Sequence, residues 1–258
     1  MNIEHISVSR SQVFEKCQQE YKYKYHLKRK SPDPEKPWFK YGKVIHTIAE
    51  KYVESKGEVS INEVANDVLN RKIPIERNFN GEDVYCPNLL KSYKDRLPVH
   101  VRAIERITKN LGFDGRLEHP FNYDLDPPNN KIVKGFIDRL IVKDDLWLII
   151  DYKTTKKGVW RKNANSIKHD LQLRTYAKVV NKEFNIPPER IRGALFYLED
   201  SQFVATSFTQ ESIDSAEKQL LDMYKEIELK NPDTVVGTVG DHCGLCDYKK
   251  VCSFFNRV

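Results

Sequence analysis

The stretch that decides the fold of this chain is GFIDRLIVKDDLWLIIDYKTTKK, residues 135–157. With the residues just before it, this stretch contains two mostly apolar runs of strand length, 132–142 and 146–152. The polar residues 143–145 separate the two runs by a gap that is typical of a β-hairpin. The sequence therefore predicts two neighbouring strands, and the apolar run LWLII indicates that the second strand is buried.

Two carboxylates and one amine come together on this hairpin. Asp138 lies on the first strand, while Asp151 and Lys153 end the second and, being two residues apart, project to the same side of the sheet. Mg²⁺ and Mn²⁺ prefer oxygen ligands, and the backbone carbonyl of Tyr152 offers a further one. A cation neutralises a phosphate and lowers the pKa of a bound water, and a lysine stabilises developing charge. These residues indicate phosphodiester hydrolysis; the alternative is a surface ion pair at a hairpin.

The rest of the chain predicts an α/β protein. Helical spacing predicts one helix that begins with Ser9 or Ser11 as its N-cap and ends near residue 28. Further predicted helices cover residues 39–56, 62–69, 89–111, 170–184 and 211–229, and further strands cover residues 116–125, 193–198 and 203–208. We expect a single domain with a mostly helical part at 1–112, an α/β core with a mixed sheet at 113–235 and a tail at 236–258.

Composition and charge exclude several classes of protein. The chain has 258 residues and is 40% hydrophobic, which is enough for a sizeable core. No apolar run approaches the roughly 20 residues of a bilayer span, and the opening MNIEHISVSR has no secretory signal. The 43 basic and 37 acidic residues give a net charge of +6, which permits a nucleic-acid partner without requiring one. We therefore expect a cytoplasmic protein without membrane association.

The five cysteines suggest a metal site in a reducing compartment rather than disulfides, because their number is odd and three of them are clustered. The clustered residues form a C-x2-C-x5-C pattern and are Cys243, Cys246 and Cys252. A tetrahedral site needs a fourth ligand, for which Cys17, Cys86 and His242 are candidates. The spacing alone leaves zinc, an iron–sulfur cluster and three incidental thiols open.

Five motifs follow one another along the chain in a distinctive order. They are ISVSRSQVFEKCQQEYKYKY near the N-terminus, GKVIH at 42–46, GFID at 135–138, DYKT at 151–154 and QLRTY at 172–176. In this order they resemble the PD-(D/E)XK nuclease superfamily, specifically the RecB-like exonuclease branch. That branch includes the nuclease domains of RecB and AddB and the CRISPR-associated RecB-like exonucleases. The resemblance covers most of the chain and implies a restriction-endonuclease-like core.

The resemblance also implies roles for single residues. Asp138 and Asp151 would be metal ligands, and Lys153 the catalytic lysine. His46 would reach the metal from a capping helix, and Glu118 on the preceding strand would add an acidic contact. The motif QLRTY supplies two residues that would line the site, Gln172 and Tyr176. Taken without the resemblance, His46 is a satisfied histidine, Gln172 is a polar helix residue and Tyr176 is part of the core.

For the cysteines, the resemblance implies a 4Fe–4S cluster. Some RecB-like nucleases hold such a cluster with one N-terminal and three C-terminal cysteines. Here this pattern corresponds to Cys17, Cys243, Cys246 and Cys252, which leaves Cys86 unassigned. The alternative is Zn²⁺. Either metal would tie the first helix to the end of the chain.

A basic segment follows the proposed catalytic lysine directly. Between residues 154 and 168 there are five basic residues and no acidic one. The candidate DNA-binding residues are four of these and one aromatic residue, Lys156, Lys157, Trp160, Arg161 and Lys162. Cationic side chains bind phosphates, and an aromatic ring stacks on an unpaired base. The alternative is a solvated loop.

These expectations together predict a metal-dependent DNA exonuclease that uses Mg²⁺ or Mn²⁺ and acts on single-stranded DNA ends. Its context would be recombination, repair or DNA processing. The chain has no G-x-x-x-x-G-K-[ST] motif, so a helicase or recombination partner would supply any motor. The alternatives are an endonuclease or integration-linked nuclease, a catalytically inactive iron–sulfur subunit that binds DNA ends, and a zinc-stapled structural protein.

Overall fold

A computed structural model of the chain describes residues 1, 3–32, 35–78, 80–158 and 161–255. The chain forms two compact units. The first unit combines Met1–Glu35, Pro120–Phe136 and Thr209–Val258, and the second combines Lys36–His119 with Ile137–Phe208. The division of the sequence into parts at 1–112, 113–235 and 236–258 stays a prediction.

Seven strands occur in the described residues. They are β1 (Glu76–Arg77), β2 (Asp83–Val84), β3 (Arg116–Asp126), β4 (Lys131–Lys143), β5 (Leu146–Lys153), β6 (Ile191–Tyr197) and β7 (Gln202–Ser207). The strands β1 and β2 form a small hairpin that the sequence did not predict, and the other five form one sheet in the order β3-β4-β5-β6-β7. The pairs β4–β5 and β6–β7 are antiparallel and β5–β6 is parallel. The predicted mixed sheet is confirmed.

Seven α-helices accompany the strands in the described part of the chain. They are α1 (Val8–Lys16), α2 (Gln18–Tyr21), α3 (Pro37–Glu54), α4 (Ile61–Leu69), α5 (Lys91–Leu111), α6 (Leu171–Glu183) and α7 (Gln210–Leu229). Helix α6 lies in the crossover between the parallel strands β5 and β6 and contacts both, which is the βαβ arrangement. None of the helices that the structure describes has the length and apolar content needed to cross a bilayer.

The N-terminal segment differs from its prediction at the helix start. The side chain of Ser7, rather than that of Ser9 or Ser11, accepts a hydrogen bond from the backbone N–H of Arg10 at 3.2 Å. Ser7 has extended backbone angles, whereas Ser9 and Ser11 already lie inside the helix, where a side chain cannot cap the first free amides.

The predicted long first helix is also interrupted. Cys17 adopts extended angles, with φ −161° and ψ 110°, between α1 and α2, and a π-helical turn at Lys22–His26 follows α2. The apolar spacing continues through the break, so periodicity alone did not reveal it. The break sets Cys17 apart from the regular helix on either side.

The core of the second unit packs α3, α4 and α5 against the sheet. The fully buried residues that carry this packing are Tyr41, Val44, Ile45, Ile48, Val68 and Ile104. Their spacing on α3 is that of one helix face, so the opposite face of α3 carries Phe39, Gly42 and His46. Burial of each large aliphatic side chain stabilises the fold by about 1.5–3 kcal/mol.

We predict that Gly115→Ala destabilises the protein by about 3 kcal/mol or more, because two penalties add there. Gly115 has φ +123°, and an added Cβ would lie 2.6 Å from the backbone oxygen of Leu140. Gly81 has φ +79° with open space around it, so Gly81→Ala suffers only the backbone strain, about 1–2 kcal/mol. Urea unfolding of both variants measures the difference, and equal losses would contradict the steric argument.

Candidate active site

The second unit contains all the residues that the sequence assigned to hydrolysis and to the divalent cation. Asp138 lies on β4, Asp151, Tyr152 and Lys153 end β5, Glu118 lies on β3, His46 lies on α3, and Gln172 and Tyr176 lie on α6. These elements come from sequence positions as distant as 46 and 176. The fold therefore brings together side chains that neighbour one another only in space.

The site opens where the central hairpin ends its pairing. The antiparallel register of β4 and β5 reaches Arg139 opposite Ile150, and the next pair in that register would be Asp138 with Asp151. Instead, the backbone N–H of Tyr152 donates to Asp138 Oδ2 at 2.9 Å. The side chain of Asp138 thus accepts a bond that a strand backbone would otherwise accept, which fixes the carboxylate at the open end of the hairpin.

One histidine and two carboxylates form the tightest group of ligand atoms. A nitrogen of His46 and carboxylate oxygens of Glu118 and Asp138 all lie within 4.8 Å of one another. His46 Nδ1 is 3.7 Å from Glu118 Oε1 and 3.5 Å from Asp138 Oδ2. Its Nε2 lies 3.1 Å from the carbonyl oxygen of Tyr152. The predicted neighbours of a cation are therefore also neighbours in the structure.

The carboxylates around this group favour a positive charge among them. Burial lowers the pKa of His46, but the Asp138 carboxylate, a hydrogen bond to Glu118 and the Asp151 charge outweigh burial and raise it. Burial also raises the pKa of Asp138; repulsion from Asp151 adds to this increase, and the charges of His46 and Lys153 oppose it. Positive charge placed among these carboxylates is therefore stabilised, either as a proton on His46 or as a metal ion.

The donor set fits a divalent cation. It combines carboxylate oxygens, a backbone carbonyl and one imidazole nitrogen, and hard divalent cations take mainly oxygen ligands. Asp138, Glu118 and His46 would hold the ion, and the carbonyl of Tyr152 and the carboxylate of Asp151 are the further donors on β5.

Lys153 is held between a carboxylate and an amide. Its Nζ lies 2.5 Å from Asp151 Oδ2 and donates to Gln172 Oε1 at 3.4 Å, while Gln172 Nε2 donates to the hydroxyl of Tyr176 at 2.7 Å. Burial lowers the pKa of Lys153, but the charge of Asp151 and the hydrogen bond with it outweigh burial and raise it. The lysine therefore stays protonated, and Gln172 and Tyr176 orient it from one helix face.

The predicted cluster cysteines lie together in the first unit. One cavity there is lined by Cys17, Cys243, Cys246 and Cys252. Cys86 belongs to the second unit, where it is buried and its Sγ donates to the carbonyl oxygen of Pro87. The set of four that the resemblance implied is therefore also a set in space.

The chemistry of this cavity fits a metal-bound thiolate. Burial raises the pKa of Cys246 to about 11, although the backbone N–H of Tyr248, which donates to its Sγ at 3.4 Å, opposes that increase. A thiolate without a metal is thus disfavoured, whereas an N–H donor beside the sulfur suits a thiolate that a metal stabilises. The four cysteines would supply the ligands, and Tyr248 a hydrogen bond to one of them.

The basic residues of the segment after Lys153 differ in their exposure to solvent. Lys156, Lys157 and Lys162 are exposed. Trp160, the predicted stacking residue, lies outside the described residues. The side chain of Arg161 is only 7% exposed, and its guanidinium contacts both oxygens of Asp200 at 2.8 Å. Arg161 thus fixes the segment from within the protein.

Two arginines donate hydrogen bonds to two consecutive backbone carbonyls of this segment. Arg96 donates to the carbonyl of Thr154 at 2.6 Å and to Glu199 at 2.7 Å. Arg161 donates to the carbonyl of Thr155 at 2.9 Å. We call the pairs Arg96–Glu199 and Arg161–Asp200 the arginine clamp. No sequence pattern predicts this clamp, because its partners are distant along the chain and form no motif.

The sequence and the fold of this chain are similar to those of known proteins. A family model described as the PD-(D/E)XK nuclease superfamily matches residues 5–253. The CRISPR-associated exonuclease Cas4 of Francisella tularensis subsp. novicida is 24% identical over 206 residues, which are 72% of this chain and 97% of the relative. A crystal structure of a Eubacterium rectale protein assigned as an exonuclease superimposes with a TM-score of 0.52 at 16% identity, covering 97% of this chain and 90% of that one. The latter similarity supports the fold.

We predict that Asp200→Asn loosens the segment after Lys153, because the bidentate partner of Arg161 loses its charge. Trypsin should then cleave at residues 156 and 157 about fivefold faster than in the parent. Mass spectrometry of timed digests measures the rate at each site.

The matched control for this experiment is Asp83→Asn. Asp83 pairs with Arg77 at 2.9 Å on the exposed β1–β2 hairpin of the same unit. This variant removes a similar ion pair far along the chain from the segment and should leave cleavage there unchanged. Equal cleavage in both variants and the parent would show that the clamp does not hold the segment.

Proposed function

Since this chain belongs to the PD-(D/E)XK nuclease superfamily, we propose that it is a metal-dependent DNA exonuclease that acts on single-stranded ends. The chain is a nuclease of the restriction-endonuclease-like fold. The proposal concerns its cation, its substrate and its mode of cleavage.

The observation that carries the proposal is the group of His46, Glu118 and Asp138 beside Lys153. Their three ligand atoms lie within 4.8 Å of one another, at the open end of the hairpin where Asp151 pairs with the lysine. A bound Mg²⁺ or Mn²⁺ supplies charge for the scissile phosphate and a bound water of lowered pKa. The same residues explain why an inactive DNA-binding subunit is the weaker alternative: the full set of reactive groups is present.

Lys153 has the role of stabilising negative charge on the phosphate. It is protonated, it is half-buried, and Asp151 and Gln172 fix its amine from two sides. A cation that is positioned before the reaction stabilises developing charge without reorganising during it. Gln172 and Tyr176 keep the lysine in this position through their own hydrogen bond.

The DNA would approach along the exposed lysines of the following segment. Lys156, Lys157 and Lys162 are exposed, and phosphate contacts of this kind supply affinity that depends on salt. Arg161 contributes by holding the segment that presents them. The exonuclease mode is supported by the name of the curated relative, which this chain matches over 97% of that relative's length. Recombination, repair or other DNA processing with a helicase or recombination partner is the proposed context.

We further propose that Cys17, Cys243, Cys246 and Cys252 hold a 4Fe–4S cluster with a structural role, Zn²⁺ being the alternative. The shared cavity and the N–H donor at Cys246 support this assignment. The cluster would join the break between α1 and α2 to the tail of the chain.

We predict that Asp138→Ala and Lys153→Ala each lower cleavage of single-stranded DNA at least about a hundredfold without unfolding the protein, because Asp138 would hold the cation and Lys153 would stabilise charge on the phosphate. Initial rates on end-labelled linear DNA with Mn²⁺ measure the loss, and circular dichroism checks the fold. The controls are Glu105→Ala and Lys109→Ala, an exposed ion pair on α5. Normal digestion by either site variant would refute the site.

The mode of cleavage has its own test. The parent should digest linear single-stranded DNA in the presence of Mg²⁺ or Mn²⁺, and EDTA should stop the reaction because the carboxylates then have no cation to position. A circular single-stranded substrate has no end and should survive. Its cleavage would identify an endonuclease instead, and inactivity on both substrates would favour a role in DNA binding only.

We predict that Cys246→Ser yields colourless and poorly soluble protein, since one ligand of the proposed cluster is lost. Absorbance near 400 nm and the soluble fraction are the measurements. Cys86→Ser is the control, because Cys86 is a buried cysteine that belongs to the second unit and does not line the cysteine cavity. Unchanged colour and solubility in Cys246→Ser would reject the cluster, and a colourless zinc-containing parent would favour Zn²⁺.

A further inference from the structure

One face of α3 carries a continuous stripe that leads to the active site. Phe39, Gly42 and His46 are spaced i, i+3 and i+7, so they follow one another along the same face of the helix. The opposite face, with Tyr41, Val44 and Ile48, is fully buried in the core. The stripe is therefore the accessible side of the helix that presents the metal-site histidine.

Two aromatic rings lie exposed at the start of this stripe. Phe39 is 56% exposed and Trp38 is 41% exposed, and their ring centroids are 6.2 Å apart with a 38° tilt. Many other aromatic residues of this unit are buried in its core, whereas these two rings are accessible to another molecule. Exposed rings of this kind offer flat surfaces on which unpaired bases stack.

Gly42 lies in the middle of the stripe, although the space around it does not require a glycine. A Cβ added there would meet no heavy atom within 4 Å, and the residue lies inside a regular helix. Glycine inside a helix costs about 1 kcal/mol relative to alanine. The helix thus tolerates a destabilising residue where a side chain would fit, and the open surface that results permits close approach by another molecule.

The charge of the segment matches a polyanion. Residues 36–43 read KPWFKYGK, with three lysines and no acidic residue. Lys43 pairs with Glu76 at 2.6 Å, and Lys36 and Lys40 are partly exposed on either side of the aromatic rings. A combination of aromatic rings and cationic side chains is the chemistry that binds single-stranded nucleic acid.

We propose that this stripe is a binding subsite for single-stranded DNA, in which a base stacks on Phe39 while the strand crosses Gly42 to reach His46. The assignment rests on the proposed function, since His46 marks the place of cleavage. Seven residues of α-helix span about 10 Å. With about 3.4 Å per stacked nucleotide, the base on Phe39 lies about three nucleotides from the cleaved bond.

The first test measures binding without cleavage. The probe is a short fluorescein-labelled single-stranded oligonucleotide, and its fluorescence anisotropy is followed in EDTA with the full chain. Phe39→Ala should raise the Kd about tenfold, whereas Phe39→Tyr, which keeps a stacking ring, should stay within about twofold of the parent. Tyr85→Ala is the control, because Tyr85 is an exposed aromatic residue of the same unit outside α3. Binding of blunt duplex DNA should not respond to Phe39→Ala.

An oligonucleotide with one abasic position locates the stacked base. Moved along the strand, the abasic site should lower the parent's cleavage rate most when it lies about three nucleotides from the cleaved bond. In Phe39→Ala this position-specific dip should vanish, because the stacking partner is already absent. A dip that persists in Phe39→Ala would assign the stacking to another residue and overturn the proposal.

Gly42→Ala separates binding from stability. Its melting temperature should equal or exceed that of the parent, since alanine favours the helix, yet its Kd for single-stranded DNA should rise severalfold, and that of Gly42→Gln further. Asn66→Ala, an exposed position of α4, is the control for helix propensity and should leave binding unchanged. Parent-like binding by Gly42→Ala would overturn the proposed path.

The two proposals fail in different ways. If the parent binds and cleaves single-stranded DNA but neither Phe39→Ala nor Gly42→Ala binds it more weakly, the subsite is wrong and the proposed function stands. If the parent neither binds nor cleaves single-stranded DNA, both are wrong. If Phe39→Ala weakens duplex binding as much as single-strand binding, the stripe contacts DNA without stacking and the proposal is overturned.

Discussion

The structure of the candidate active site depends on the place where the backbone pairing of two strands ends. Strands β4 and β5 stay paired up to Arg139 and Ile150, and one residue further they separate. If the pairing continued, Asp138 and Asp151 would face each other across a closed ladder. Because it stops, the amide of Tyr152 bonds the carboxylate of Asp138, and its carbonyl lies near His46. The end of the β4–β5 pairing thus leaves the side chains of Asp138 and Asp151 available to line a site.

That opening has a cost, which other parts of the unit offset. Beyond Lys153 the chain leaves the sheet, and its carbonyls need partners. The backbone N–H of Leu198 bonds the carbonyl of Lys153, and the arginine clamp bonds the next two. Each clamp arginine also meets a carboxylate, so neither charge is buried alone. The carboxylates around His46 also need a partner, because they repel one another until a proton or a cation lies among them.

The sequence predicts the local features of this fold and misses those that join distant residues. The hairpin at 132–152 is predicted because its apolar runs and turn are adjacent, and Asp144 and Asp145 adopt the positive φ that such a turn requires. His46, Gln172 and Tyr176 were assigned only through the order of motifs, since each alone resembles an ordinary helix residue. The interruption at Cys17 lies within continuous apolar spacing, and Ser7 differs from Ser9 only in backbone angles. The clamp has no pattern at all, because an arginine and a glutamate about a hundred residues apart carry no spacing signal.

The first unit shows why a metal at the four cysteines would matter for folding. It is assembled from three segments that are far apart in the chain, and closing such long loops is entropically unfavourable. The described part of its tail beyond α7 contains short 3₁₀ turns, and Val236, Val239 and Leu245 are exposed there, although Val235 and Tyr248 are buried. A metal held by Cys17 and the three tail cysteines would join two of these segments directly. Ligand bonds that form only in the folded state stabilise that state without requiring a larger core. The extended backbone at Cys17 fits this role. It interrupts the helix at the N-terminal cysteine that lines the cavity with the three tail cysteines.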